Sequence, residues 1–486
     1  MDPGSQQADC LSSTSSDSED SPTTVPQITM PFAQVQADGK QTVSPPSSEG
    51  SEDGVVGSPI TETYGDSDCE AGSQTSTVEY EQESFETYQR KVSQLCHDIG
   101  YGEPSKIERM KGGGYNRVIG LTLQSGQEHD YVLRIPRWAL NEAQMGEIKD
   151  QVAITLYLSR YDFLHVPVIA AFDTTVNNNL ECQYVLQQRI DGTSIQDMFY
   201  TLPLSEKLQV ARAVAEMLLQ LESITLERPG RLVGTGELPA RSDTAPASAN
   251  EIKINGYRNN PMQDLPIMEK QPLLSLITSL LEIRKQKNLD WDTMVERCER
   301  LQAIAREMKA LGLFQVTDNN CALWHWDLSA ANIMIRRTSA NDGSDLDQPS
   351  GPTTSFATND SQGKWVVSGV LDWDDALSVP LVLARKPPSW LWLDEDNHDS
   401  NWVDDPDRDA KPERALTEDE KLIKGYFDEI MAEGSPSYFE DTYIRGPWLR
   451  ALAEFAIYNF EDGIYWDKYD GFVKKWEEYY ATRAFT

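Results

Sequence analysis

The densest chemistry in the chain lies in Leu323-Trp324-His325-Trp326-Asp327-Leu328-Ser329-Ala330-Ala331-Asn332-Ile333-Met334-Ile335. The pattern is H-x-D-L-x-x-x-N followed by an apolar strand. A carboxylate and an amide oxygen five positions apart on a short loop suit phosphoryl transfer from a nucleotide. Asp327 can stand beside an acceptor hydroxyl, and Asn332 can hold magnesium on the phosphates. A second segment, Val370-Leu371-Asp372-Trp373-Asp374-Asp375-Ala376, ends an apolar strand on an acid. Magnesium takes hard oxygen ligands and usually only one or two protein carboxylates, so Asp372 is the candidate second ligand. Asp374 and Asp375 read as supporting or helix-capping acids. A third segment, Lys111-Gly112-Gly113-Gly114-Tyr115-Asn116-Arg117-Val118, offers a glycine turn two strands ahead of Arg134, the candidate phosphate-contacting residue. Glycine lets backbone approach phosphate closely. No Gly-Lys-Ser or Gly-Lys-Thr follows, so this is not a Walker A loop.

These residues need elements to hold them. Phe85, Tyr88, Val92, Leu95 and Cys96 share one helical face, and Gly100 stops that helix. Strands are expected at Ile107 to Met110, Asn116 to Leu123, Tyr131 to Ile135 (ending at Pro136) and within Leu180 to Ile190, with a helix over 141–160. From Asp191-Gly192 the pattern turns helical, with helices predicted over 205–225, 287–311 and 442–482. Leu208, Ala211, Ala215, Leu218 and Leu221 form the stripe of the first. Two polar inserts interrupt this part, at about 235–252 and at 338–363. Asn332 to Ile335 and Trp365 to Trp373 are expected to pair as one hairpin with the second insert at its tip. The expected fold class is α+β, with a small mixed β-rich lobe over 85–190 and a larger, mainly helical lobe over 191–486.

The first 84 residues hold sixteen acids against Lys40 alone and are rich in Ser, Thr, Gly and Pro. Such a stretch buries too little apolar area to offset ordering entropy, so a disordered acidic tail with possible protein partners is expected. The whole chain of 486 residues carries a formal charge of -35, which argues against nucleic acid or anionic membrane as partners. Six cysteines without CxxC spacing and five histidines give no zinc pattern. Sparse cysteine, no secretory signal and no apolar run near 18 residues lead to the expectation of a cytoplasmic protein.

The order of glycine turn, strand arginine, helix, strand, His325 to Asn332 and Leu371 to Ala376 resembles the aminoglycoside phosphotransferase and choline kinase family. Leu133-Arg134-Ile135-Pro136 and Pro387-Pro388-Ser389-Trp390-Leu391-Trp392 are similar to its fungal branch. The resemblance covers about residues 85–482. It implies a protein-kinase-like two-lobed fold, ATP and magnesium as cofactors, and a hydroxyl-bearing small-molecule acceptor. It implies Asp327 as catalytic base or hydroxyl-positioning group, with Asn332 and Asp372 as metal ligands. Gly112, Gly113 and Gly114 would cover the phosphates. Gln187-Gln188-Arg189-Ile190 would be the hinge, with Gln188 and Ile190 beside adenine, and His325 would brace the loop.

Two departures stand out. The usual strand lysine is Arg134, and the usual helix glutamate aligns with Gln151, which cannot form the ion pair, leaving Glu147 or Asp150 as the candidate substitutes. An arginine head is wider and planar, so the exchange is not neutral. These departures keep a second reading open, a nucleotide-binding pseudokinase or scaffold without turnover. Asp-Phe-Gly and Ala-Pro-Glu, which frame a peptide-binding segment in protein kinases, are absent. Ten of twelve tryptophans fall from Trp324 onward, and acids interleave with them over Trp390 to Asp405. Aromatic faces beside acids can hold an amine; packing of the helical lobe is the competing reading.

Overall fold

A computed structural model describes residues 83–110, 112, 115–125, 127–236, 238–244, 251–260, 263–315, 320–338, 363–393, 415–458, 460 and 463–483. The expected tail, Gly113, Gly114, the insert tip 339–362 and the acids between Leu393 and Asp405 lie outside them.

The first lobe is built on a hairpin, β2 (Asn116–Ser125) and β3 (Gln127–Pro136), in continuous register from Asn116↔Pro136 to Ser125↔Gln127. β1 (Lys106–Arg109) pairs with β2. Helix α1 (Phe85–Asp98) buries Tyr88, Val92, Leu95 and Cys96. They pack with Ile119, Leu121, Leu133 and Ile135 on one face of the sheet. Helix α2 (Glu142–Leu158) starts on an Asn141–Gln144 capping box and covers the other face through Ile148, Val152, Ala153 and Leu156. Side chains alternate along a strand. Leu133 and Ile135 therefore face α1 while Arg134, between them, stands on the α2 side.

Two strands of this sheet escaped the sequence reading. β4 (Ile169–Asp173) is wholly buried and too short to show a period. It pairs with β5 (Tyr184–Gln188), giving the order β1-β2-β3-β5-β4-β9. The outer strand β9 (Arg241–Ser242) comes from the stretch 235–252, read from its polarity as an insert. The same stretch leads into β10 (Ile252–Asn255), which pairs with β8 (Gly230–Gly234) in a second sheet. Edge strands can be polar because one side faces water, so composition alone hid them.

Beyond β6 (Thr193–Ser194), the second lobe is mainly helical, with helix α3 (Leu204–Glu222) at its centre. Its face of Ala211, Val214, Ala215 and Leu221 packs against a hairpin and against helix α6 (Glu418–Gly434). α6 was not anticipated, although Thr417 and Glu420 form a capping box that announces it. The helix predicted over 287–311 is really α5 (Asp292–Ala310), preceded by α4 (Leu273–Lys287). Asn288 separates them, its side-chain amide donating to the Arg284 carbonyl. The span 442–482 likewise divides into α7 (Gly446–Ile457) and α8 (Gly463–Arg483). Among the described residues no helix is long and apolar enough to cross a membrane. The architecture is mixed α+β, a sheet lobe followed by a larger, mainly helical lobe.

A candidate phosphoryl-transfer site

The expected hairpin forms. β14 (Ile333–Arg337) pairs with β15 (Trp365–Val370) from Ile333↔Val370 to Arg337↔Trp365. The ladder continues one residue past β15, since the Leu371 N–H donates to the Asn332 carbonyl at 2.8 Å. That bond ties the ends of the two chemical segments together. β13 (Cys321–Trp324) delivers the loop that precedes β14. The loop folds on itself through Ser329 N–H to Asp327 O and Asn332 N–H to Ser329 O.

Inside the loop, the Asn332 amide nitrogen donates to the Asp327 carbonyl at 2.8 Å and to its Oδ2 at 3.1 Å. An amide that donates through nitrogen keeps its oxygen for another partner. His325 is 4% exposed; its Nε2 lies 2.7 Å from the Leu371 carbonyl, and its ring meets Trp373 edge-on at 4.6 Å. Burial holds its pKa below the usual histidine value. A neutral ring beside a carbonyl must carry its proton on Nε2. Its Nδ1 is then a bare acceptor, buried without a partner among the described residues. His325 thus braces the loop against the Asp372 segment and is not placed to titrate with substrate.

Asp372 has φ +62°, a left-handed conformation that asparagine and aspartate tolerate better than most residues. The turn swings Asp372 and Asp374 toward β3. There Arg134 donates through Nη2 to Asp374 Oδ2 at 2.7 Å, through Nη1 to Asp374 Oδ1 at 3.3 Å, and through Nη2 to Asp372 Oδ1 at 3.1 Å. Burial alone lowers the guanidinium pKa, but Asp374 and Asp372 outweigh it and hold the group firmly protonated. For Asp374, burial dominates and raises the carboxyl above the usual range. Arg134 opposes this and Asp372 adds to it.

Several expected residues stand elsewhere. Gln151, expected not to pair with Arg134, accepts the Thr155 hydroxyl at its backbone carbonyl within α2. Neither proposed substitute takes that place. Glu147 pairs with Arg258 at 2.7 Å and Asp150 with Arg231 at 3.1 Å. Arg134 turns to the acids of the Asp372 segment because a glutamine offers it no charge. In the hinge, the Gln188 N–H is spent on the Val168 carbonyl and the Arg189 N–H on that of Asp130. Gly112 sits where a Cβ would come 2.6 Å from the Asn116 carbonyl and 3.0 Å from Arg137 Nη2, so only glycine fits. Trp390 and Trp392 are core residues, 4% and 6% exposed. The Trp390 indole donates to the Leu328 carbonyl, supporting the loop from behind.

The sequence reading missed the residues behind Asp375. Burial raises its carboxyl pKa, while Arg258 and Arg231 pull it down. It also missed the aromatic cluster of Trp324, Trp326 and Tyr458, edge-on and tilted, with ring centroids 4.8 and 4.1 Å apart. Trp324 and Trp326 fall within the loop motif itself, so their spacing was a usable signal. Tyr458 joins them only in three dimensions.

Fold and loop together set Asp327 and Asn332 beside the Asp372 segment. Residues 106–343 match the model of the phosphotransferase enzyme family, APH. A subtelomeric hrmA-associated cluster protein of Aspergillus fumigatus is 27% identical over 132 residues, covering 27% of this chain and 25% of that protein. A Candida albicans protein named altered inheritance of mitochondria protein 9, mitochondrial, is 26% identical over 197 residues, covering 38% of this chain and 30% of its own length. The chain thus spans about a third or less of these relatives. Among solved structures, a thermostable mutant of aminoglycoside phosphotransferase APH(4)-Ia, in ternary complex with AMP-PNP and hygromycin B, aligns at 14% identity. It covers 82% of this chain and 99% of that one, with a TM-score of 0.39. The GDP complex of aminoglycoside 2'-phosphotransferase-IIIa aligns at 13% identity over 82% and 99%, with a TM-score of 0.41.

Proposed function

We propose that the protein is an ATP- and magnesium-dependent phosphotransferase acting on a hydroxyl of a small molecule. The observation that carries this reading is the joint between loop and metal segment. Asn332 binds Asp327 through its amide nitrogen and Leu371 through its carbonyl, which brings Asp327, Asn332 and Asp372 to one place. The donor set fits magnesium. The Asn332 amide oxygen and the Asp372 carboxylate are hard oxygen ligands, and no group of three or more acidic, histidine or cysteine side chains is found among the described residues to make a closed cage. Magnesium bound through few protein oxygens and completed by phosphate and water is its usual mode in such enzymes, where it neutralises charge on the transferring phosphoryl group.

In this reading Asp327 accepts or orients the proton of the acceptor hydroxyl, and Arg134 holds Asp372 and Asp374 in position. Gly112 allows the turn to lie close over the phosphates. The hinge contact to the base falls to Ile190, since the preceding two N–H groups are committed. The absence of Asp-Phe-Gly and Ala-Pro-Glu supports a small acceptor. A cytoplasmic setting is part of this proposal, and the site itself does not name the acceptor.

The direct test is ADP release from magnesium-ATP over a panel of hydroxyl-bearing metabolites. Asp327→Asn should lower turnover at least about a hundredfold while leaving nucleotide binding intact; equal turnover would remove Asp327 from its role. One observation favours a second reading, a nucleotide-binding protein without turnover. Arg134 already engages Asp372, and Gln151 cannot draw it away. A thermal shift with magnesium-ATP and no ADP release across the panel would favour that reading.

A further inference from the structure

A cleft of about 340 Å³ opens between α2, the end of β8 and the hairpin of β11 (Arg258–Asn260) with β12 (Gln263–Asp264). That is the size of a small-metabolite pocket. Its charged lining is Lys149, Arg231 and Arg258 against Glu147, Asp150 and Asp264.

The acids are all engaged. Glu147 accepts from Arg258 at 2.7 Å. Asp150 accepts from Arg231 at 3.1 Å and from the Gly234 N–H at 2.9 Å. Asp264 accepts from Arg231 at 3.4 and 3.2 Å and from the Asn255 amide at 3.3 Å. The donors are in excess. Arg258 spends one N–H of its five on Glu147. The Nε–H of Arg231 is buried without an acceptor among the described residues. Lys149, projecting from α2, has no ion-pair or hydrogen-bond partner among the described residues. Asp375, which Arg258 and Arg231 also face, adds a fourth acid to the three of the lining, so the pull on an anion comes from the unspent donors, and what the cleft lacks is acceptor oxygen. Fixed guanidinium groups beside a free ammonium form strong, charge-assisted bonds to such oxygens.

We propose that this cleft binds a small oxyanion-bearing metabolite, its phosphate or carboxylate held by Lys149 and Arg258. The site is distinct from the Asp327 cleft and does not depend on turnover there. It is joined to it mechanically. Arg231 stands opposite Leu377 in the pairing of β8 with β16 (Leu377–Pro380), the strand that follows Asp372 to Ala376. A ligand bridging Lys149 to this wall therefore clamps α2 against the strand behind the metal segment.

The test is calorimetric titration of the full chain with inorganic phosphate and, separately, with malonate, in magnesium-free chloride buffer. Saturable binding of at least one anion is expected, weakened at least about tenfold in Lys149→Ala and in Arg258→Gln. Arg134→Gln, which removes a cation of the other cleft, should keep saturable binding within about threefold of the unaltered chain when both are compared well below their melting temperatures. Binding of phosphate alone identifies a phosphorylated ligand; binding of malonate as well identifies carboxylate. Lys149→Ala puts the best helix former on an α-helix and keeps its fold, so it decides the matter even if Arg258→Gln unfolds. No saturable binding of either anion overturns the proposal. So does undiminished binding in Lys149→Ala, or loss confined to Arg134→Gln, which would put the anion in the nucleotide cleft.

Discussion

Arg134 and Asp374 stand 240 positions apart in the chain and meet through two hydrogen bonds, 2.7 and 3.3 Å long, from one guanidinium to both carboxylate oxygens. The pair joins the central strand of the sheet lobe to the segment that carries Asp372. Arginine suits this geometry because its planar fork matches a carboxylate, which a lysine ammonium cannot do. The shared Nη2 also reaches Asp372, so one cation sets two acids.

Breaking the pair should therefore cost stability and order. Asp374→Asn removes the charge from a partly buried carboxylate and leaves Arg134 with Asp372 alone. A loss of about 2 kcal/mol is expected in urea unfolding. A double-mutant cycle with Arg134→Met should return a coupling of more than about 1 kcal/mol. Additive effects would show that the two residues merely sit near each other.

Asp372 separates strain from chemistry. At φ +62° an alanine pays the full left-handed cost and a glycine pays none. Asp372→Gly should be more stable than Asp372→Ala by about 1 kcal/mol, while both lose magnesium-dependent nucleotide binding. Equal melting of the two variants would mean that the backbone relaxes out of this conformation.

His325 predicts a pH slope. Its folded pKa is lowered by burial, so between that value and about 6.5 the unfolded chain takes up a proton that the folded chain refuses. Its contribution to stability is present above pH 6.5 and falls away below it, by up to about 1.4 kcal/mol per pH unit. Asp374, whose folded pKa is raised, acts in the opposite sense over the carboxylate range, so the diagnostic is the difference between the unaltered chain and His325→Gln. Unfolding curves at pH 5.5 and 7.5 should show the variant's stability depending less on pH. Parallel curves would mean that His325 titrates freely.

The hairpin should tolerate loss of its tip. Thr338 N–H donates to the Lys364 carbonyl at 2.8 Å, so the chain ends flanking 339–362 are already side by side. Each doubling of a flexible loop costs only about 0.6 kcal/mol in closure entropy. Replacing 339–362 with a short glycine-containing turn should leave the melting temperature within a few degrees and magnesium-dependent nucleotide binding unchanged. A folded variant that loses its magnesium dependence would show that the segment shapes the site.

What the sequence determined by itself was local. The spacing of Asp327 and Asn332, the strand that follows, its return at Trp365 and the apolar stripe of α1 are legible because each needs only neighbours within one element. Period and spacing are properties of the chain, not of its surroundings. Tertiary structure alone decided the partners. Nothing near Arg134 in sequence announces Asp374, and nothing near Asp150 announces Arg231. It also decided that the polar pair Arg241–Ser242 becomes a strand, because β4 offers it an open edge. An ion pair or an edge strand has no period to read. It exists only where packing brings two distant backbones to one place, and there a charge will take whichever opposite charge the fold sets before it.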